Sequence, residues 1–124
     1  MMLRNWRILV VEDDAILAWE LCSAFEDVGA QVVGPAGTIA EAHRCMAQEG
    51  VDAAILDVRL QNEDSMALAT KLLDQKCPFI FYTGVSEIAF GADDRLREVP
   101  VVYKPTRSMS VVGRLAHLVA QISE

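Results

Sequence analysis

Short apolar runs recur along this chain and alternate with longer stretches in which apolar residues return every three or four positions. The runs are Ile8-Leu9-Val10-Val11, Ala53-Ala54-Ile55-Leu56, Phe79-Ile80-Phe81-Tyr82 and Val101-Val102-Tyr103. Unbroken apolarity over such a short span marks strands buried on both faces, as in parallel sheets covered by helices. Between them, Leu17, Leu21, Ala24, Phe25 and Val28 share one face of a helix expected over residues 15–28, which Gly29 stops.

The remaining elements follow in the same way. A short strand at residues 31–33 closes at Gly34-Pro35, and Thr38 with Glu41 makes a Thr-x-x-Glu capping pattern. That pattern opens a helix with Ile39, Ala42 and Met46 inward, ending at Gly50. After the strand at 53–56, a loop over 59–63 leads to a helix over 64–75 with Leu68, Leu72 and Leu73 as its stripe. Residues 86–98 make the weakest helix, because Gly91 interrupts them and Asp93-Asp94-Arg95 is highly polar. The last helix, residues 108–122, presents Val112, Leu115, Val119 and Ile122 at three-four-three spacing. Five strand–helix units predict an α/β fold with a parallel sheet, right-handed crossovers and helices on both faces. The short second strand suits an edge, so the flavodoxin-like, doubly wound order 2-1-3-4-5 is the natural topology.

Composition narrows the function. The 124 residues are the length of one domain, taken as 1–124, and a hydrophobic share of 52% is ample for a core covered on both sides. A net charge of −7 argues against direct nucleic-acid binding, which needs clustered Lys and Arg on phosphates. No stretch approaches the ~20 apolar residues of a membrane span. The N-terminus lacks the apolar core and cleavage site of a signal peptide, so a cytoplasmic location is expected. Cys22, Cys45 and Cys77 have no Cys-x-x-Cys spacing and read as free thiols; His43 and His117 stand alone and receive no role. The chain closes just after its last helical stripe, so no output domain is expected and a signal would leave through a protein–protein surface.

The chemistry lies where the strands end. Glu12-Asp13 follow the first of the four apolar runs, Asp57 the second, Thr83 the third and Lys104 the fourth. Functional side chains of open parallel sheets gather at the carboxyl edge of the strands, so these residues are expected at one rim. Three carboxylates, a hydroxyl and an ammonium suit a divalent cation and a phosphoryl group better than an apolar ligand. Asp57 is a competent nucleophile for forming an acyl phosphate. Lys104 can pair with it and later with a phosphoryl oxygen, and Thr83 offers a hydroxyl donor.

Glu12-Asp13, Asp57, Thr83 and Lys104-Pro105, in that order, resemble the receiver domain of bacterial two-component response regulators over nearly the whole chain. The run from Pro78 to Gly84 is similar to a stand-alone type with a Phe-x-Thr-Gly signature. The resemblance implies a phosphorelay receiver that takes a phosphoryl group onto Asp57 from a histidine kinase or histidine phosphotransferase. It implies Mg²⁺ ligated by Asp13, Asp57 and the backbone carbonyl of Arg59, with Glu12 holding a coordinated water. It also implies a cis Lys104-Pro105 peptide. Such a chain takes part in its own phosphorylation rather than acting as a conventional enzyme. It signals to a downstream protein, with homodimerisation left open. Asp14 is expected just outside the metal pocket, as a helix cap.

Several positions depart from the family pattern. Leu60, Gln61 and Ser65 stand where the family often has Met, Pro and Gly, and Val101 stands where it usually carries an aromatic switch residue. The switch is therefore expected to run through Thr83 and residues 86–98, with Tyr103 or Tyr82 as a responding ring. Other readings fare worse. A haloacid-dehalogenase-type phosphohydrolase has Asp-x-Asp, whereas Arg59 stands second after Asp57. Flavodoxin would need a phosphate loop that no Ser/Thr/Gly-rich segment after the first strand supplies. The serious rival is a phosphorylation-independent interaction module on the same fold.

Overall fold

The structure, a computed structural model, describes residues 3–123. Its elements in order are β1 (Arg7–Val11), α1 (Ala15–Asp27), β2 (Gln31–Ala36), α2 (Ile39–Glu49), β3 (Ala53–Leu56), β4 (Arg59–Leu60), β5 (Glu63–Asp64), α3 (Met66–Asp74), β6 (Phe79–Thr83), a 3₁₀ turn (Asp94–Glu98), β7 (Val101–Tyr103) and α4 (Ser108–Ser123). Five strands form a parallel sheet in the order β2-β1-β3-β6-β7. With the small β4-β5 ladder set aside, that is the expected 2-1-3-4-5 order of the flavodoxin-like fold.

Strand alternation divides the interior into two cores. Leu9, Val11, Val33, Ala54, Leu56, Phe79 and Phe81 pack against Ala42 of α2 and Leu68, Ala69 and Leu72 of α3. Ile8, Val10, Ala53, Ile55, Ile80, Tyr82 and Val102 face the other way, against Leu21 and Phe25 of α1 and Val112, Leu115 and Val119 of α4. The central strands are therefore buried on both sides, which is why their sequences carry no polar alternation.

Local chemistry sets the helix ends. Asp14 caps α1, its Oδ1 accepting from the N–H groups of Ile16 and Leu17 at 3.0 Å. Thr38 caps α2 by accepting from the N–H of Glu41 at 3.1 Å, and its hydroxyl donates to the Glu41 carboxylate. Both start signals were visible in the residue pattern.

Three boundaries differ from the expectation. β2 does not stop at Gly34-Pro35 but continues through a cis peptide there to Ala36. The register slips at that point, from Leu9 opposite Val33 to Val11 opposite Ala36, so one residue bulges out of the ladder. Gly34 makes this feasible: its φ is 99°, and a Cβ there would lie 2.8 Å from the Ala36 nitrogen. The loop over 59–63 is a tight hairpin, with Arg59 opposite Asp64 and Leu60 opposite Glu63. Its second strand takes up residues 63 and 64, so α3 begins later, at Met66.

The third difference is the largest. Residues 86–98 hold no α-helix, only the short 3₁₀ turn. Gly91 at φ 78° breaks any right-handed helical path, and Phe90, only two residues after Ile88, breaks the three-residue spacing of Val85 and Ile88. These three pack as a half-buried cover on the α2/α3 side of the sheet. The Phe90 ring lies 6.3 Å from that of Phe81 and beneath the Arg97 guanidinium at 5.3 Å. Downstream, Arg95 bridges Asp93 at 2.8 Å and Asp74 of α3 at 3.0 Å, and Thr70 donates to Asp93 at 2.8 Å. That network ties the turn to α3 without a helix.

Burial separates the two rings of this contact. Phe81→Ala should cost about 3–5 kcal/mol, as for a sealed aromatic. Phe90→Ala should cost only ~1–2 kcal/mol because its ring is already partly wet. Urea unfolding of both variants checks this; equal losses would show that the irregular segment is as tightly packed as β6.

Candidate functional site

The carboxyl ends of β1, β3, β6 and β7 meet at one rim, and each hands a polar residue to it. Glu12 follows β1 and is 3% exposed; Asp57 follows β3 and is 5% exposed; Thr83 closes β6 and is fully buried. Lys104 follows β7, its backbone N–H donating to the Thr83 carbonyl at 2.8 Å. The Lys104 ammonium stands 2.7 Å from both Glu12 Oε1 and Asp57 Oδ2. One carboxylate oxygen from each of Glu12, Asp13 and Asp57 lies within 4.8 Å of the others.

Backbone amides hold the remaining oxygens. The Asp14 N–H donates to Glu12 Oε2 at 3.0 Å, the Arg59 N–H to Asp57 Oδ1 at 3.3 Å, and the Gln61 N–H to Asp13 Oδ2 at 3.0 Å. Burial pushes the Glu12 carboxyl above its ordinary range, and the bonds from Lys104 and Asp14 offset that only in part. Burial acts against the Lys104 ammonium too. Its bonds to Asp57 and Glu12 and their charges outweigh burial, so its pKa is raised.

The site thus brings together Glu12, Asp13, Asp57 and Lys104, with Arg59 at its margin through its backbone. Thr83 is at the rim but turned aside: its hydroxyl accepts from the Val85 N–H at 3.2 Å. Asp14 lies outside the cluster and serves as the α1 cap. Lys104-Pro105 is cis, as the family resemblance implied. Tyr82 is 2% exposed and fastened, its hydroxyl donating to the Thr106 carbonyl at 2.8 Å and accepting from the Thr106 N–H at 3.2 Å. Of the two rings considered for a switch, only Tyr103, at 51% exposure, is free to move.

Two residues gain a place that the sequence had not assigned. Gln61 supplies an N–H to Asp13 that the proline usual at that position could not give. Ser65 is fully buried and bonds back to the peptide of Asp57. Both had stood out only as departures from the family pattern. The cysteines are free, and burial pushes the Cys77 thiol up to about 12, leaving it protonated and inert. Among the described residues, no helix is long and apolar enough to cross a membrane.

The donor set at the rim is all hard oxygen, which fits a cation such as Mg²⁺. Three carboxyl groups meet one ammonium here, so acidic groups outnumber the single cation in the cluster. A divalent cation would offset that excess, and an acidic cluster alone would not hold a phosphate.

Residues 8–97 match the family model described as response regulator receiver domain. The structure is similar to the solution structure of SdrG from Sphingomonas melonis Fr1, at 35% identity and a TM-score of 0.77, covering 97% of this chain and 99% of that one. It also resembles a CheY-like response regulator receiver domain protein from Methanospirillum hungatei JF-1, with a TM-score of 0.81 over 95% and 96% of the two chains. At 20% identity that likeness shows the fold alone. Among curated proteins, the transcriptional regulatory protein PdtaR of Mycobacterium tuberculosis is 27% identical over 82 residues, 65% of this chain and 40% of that protein. The matched part therefore spans about two fifths of the length of that relative.

The double pairing of Lys104 has a measurable sign. Its folded pKa lies above the ordinary lysine value of 10.5, so its contribution to stability is full below that pH. The contribution fades as pH rises through the raised folded pKa. Lys104→Gln should cost about 2–3 kcal/mol near pH 8, less than the ~3–5 of a sealed pair because Lys104 is partly wet. The difference between wild type and variant, from urea unfolding, should shrink above pH 10.5. A difference constant from pH 8 to pH 12 would contradict the assignment.

Proposed function

Because the chain belongs to the response regulator receiver domain family, we propose that it accepts a phosphoryl group on Asp57 from a phosphohistidine of a histidine kinase or histidine phosphotransferase. The observation that carries this reading is the setting of Asp57: nearly buried at the end of β3, 2.7 Å from Lys104 and within 4.8 Å of the acidic pair. Residues chosen for structure alone would not crowd like charges in this way.

The step is a displacement at phosphorus. A carboxylate oxygen of Asp57 forms the new O–P bond while the N–P bond of the phosphohistidine breaks and its electron pair returns to the imidazole. Lys104, freed from Asp57, would follow the charge onto a phosphoryl oxygen. Thr83 would have to give up the Val85 N–H and turn its hydroxyl to another phosphoryl oxygen. Glu12, Asp13, Asp57 and the Arg59 carbonyl would hold Mg²⁺, with a coordinated water on Glu12. When bound, the ion would neutralise the rim and the incoming dianion.

The chain would act on itself rather than turn over a substrate. The output would be a protein–protein contact with a downstream protein, in the cytoplasm, without direct nucleic-acid binding. The net charge of −7 supports that last point.

Asp57→Asn keeps the shape of the side chain and removes the nucleophile. Intact-mass measurement after incubation with a small acyl phosphate and Mg²⁺ should show one phosphoryl group on the wild type and none on the variant. Chelation should suppress the wild-type gain. Equal uptake by Asp57→Asn would place the phosphoacceptor elsewhere. No uptake by either would favour a receiver-fold interaction module.

A further inference from the structure

We propose that Ser65 is a positioning residue for phosphoryl acceptance, its buried hydroxyl fixing the peptide that carries the Asp57 carboxylate. The inference rests on Asp57 being the phosphoacceptor. Ser65 is fully buried, and its Oγ donates to the Asp57 carbonyl at 2.7 Å. The Val58 carbonyl lies near the same hydroxyl at 3.2 Å and accepts from the Ser65 N–H at 3.0 Å. A hydroxyl has one proton to donate, so the shorter contact, to Asp57, is the principal bond.

The location of this serine makes the bond informative. Ser65 stands immediately before α3, where a serine ordinarily accepts from the exposed N–H groups of the first helical turn. It makes no such cap bond. Asp64 accepts from the Met66 N–H instead, at 3.0 Å. The serine has left its ordinary local partner to reach eight residues back in the chain.

The consequence for Asp57 is a fixed backbone on both sides. Its N–H donates to the Val11 carbonyl at 3.1 Å, which anchors it to β1, and its carbonyl is held by Ser65 at the start of α3. Only the side-chain torsions remain free, and Lys104 and the Arg59 N–H engage the two carboxylate oxygens. Displacement at phosphorus needs the nucleophile aligned with the bond that breaks, and small misplacements slow such steps steeply. Without the hydroxyl, the backbone at Asp57 is anchored on one side only, by its N–H to Val11, and a small shift of its Cα would carry the carboxylate out of line. Glu12 and Asp13, which follow β1, would not move with it.

The test compares wild type, Ser65→Ala and Ser65→Thr, phosphorylated by a small acyl phosphate with Mg²⁺ well below each melting temperature. Rates come from intact mass at saturating donor. Ser65→Ala should lower the maximal rate, measured at saturating Mg²⁺, about ten-fold. Ser65→Thr, which keeps the hydroxyl, should restore most of the rate. A serine that merely supports the fold would lower the melting temperature without touching the maximal rate, and that result overturns the proposal. Should Ser65→Ala not fold, Ser65→Cys fills the same space while replacing the hydroxyl with a much weaker donor, and should show the same loss of rate. The wild type provides a further check: its Ser65 hydroxyl proton should exchange slowly enough to be seen by NMR, and rapid exchange would overturn the clamp. Wild type that gains no phosphoryl group overturns the phosphoacceptor reading and the positioning role with it. Normal uptake by both wild type and Ser65→Ala overturns the positioning role alone.

Discussion

Like-charge crowding at the strand ends is the constraint around which the rest of this molecule is arranged. At 4.8 Å, two carboxylates repel by ~3 kcal/mol for an effective dielectric of ~20, and Glu12, Asp13 and Asp57 form three such pairs. The fold imposes the crowding, because a parallel sheet brings all of its carboxyl ends to one edge. Lys104 is the direct counterweight, and it reaches only Glu12 and Asp57. The Glu12 carboxyl is held above its ordinary range mainly by burial, and the Asp57 charge adds only a small push in the same direction.

What keeps the cluster in place is backbone as much as charge. The N–H groups of Asp14, Arg59 and Gln61 each hold one carboxylate oxygen. Two of the three come from the β4-β5 hairpin, which folds the chain after Asp57 back toward Asp13. The hairpin is tied at its far side too, where Glu63 accepts from the Ile39 N–H at the start of α2, at 3.3 Å. Thr83 links the rim to the irregular segment through the Val85 N–H. Rotation of its hydroxyl would release the first residue of the cover formed by Val85, Ile88 and Phe90. Phe90, rather than a ring at position 101, is the aromatic that this cover lays against the sheet.

The residue pattern carried most of this fold because its elements are sealed on both faces. The runs ending in Val11, Leu56 and Tyr82 could hardly be anything but central strands, and the caps Asp14 and Thr38 mark their helices by local chemistry. Asp57 and Lys104 were legible for a related reason: a charged residue directly after such a run must lie at the rim. What escaped was set by tertiary context. The bulge at Gly34-Pro35 depends on pairing with β1, and the hairpin at 59–64 on a turn at Gln61 with φ 51°. Residues 86–98 had a weak helical pattern because no helix forms there. Ser65 was hidden because its partner is a carbonyl eight positions away, while its own position fell inside the helix expected over residues 64–75.

If the rim is a site for a divalent cation, the unphosphorylated protein should become more stable when Mg²⁺ is added. The direct measurement is thermal unfolding of wild type and Asp13→Ala across a Mg²⁺ titration. At ten times its dissociation constant, a ligand bound only to the folded state adds about 1.4 kcal/mol. Wild type should show that gain, and Asp13→Ala should lose it while starting no less stable, since one source of repulsion is gone. A wild-type melting temperature indifferent to Mg²⁺ up to tens of millimolar, or a variant that responds as the wild type does, would contradict the account.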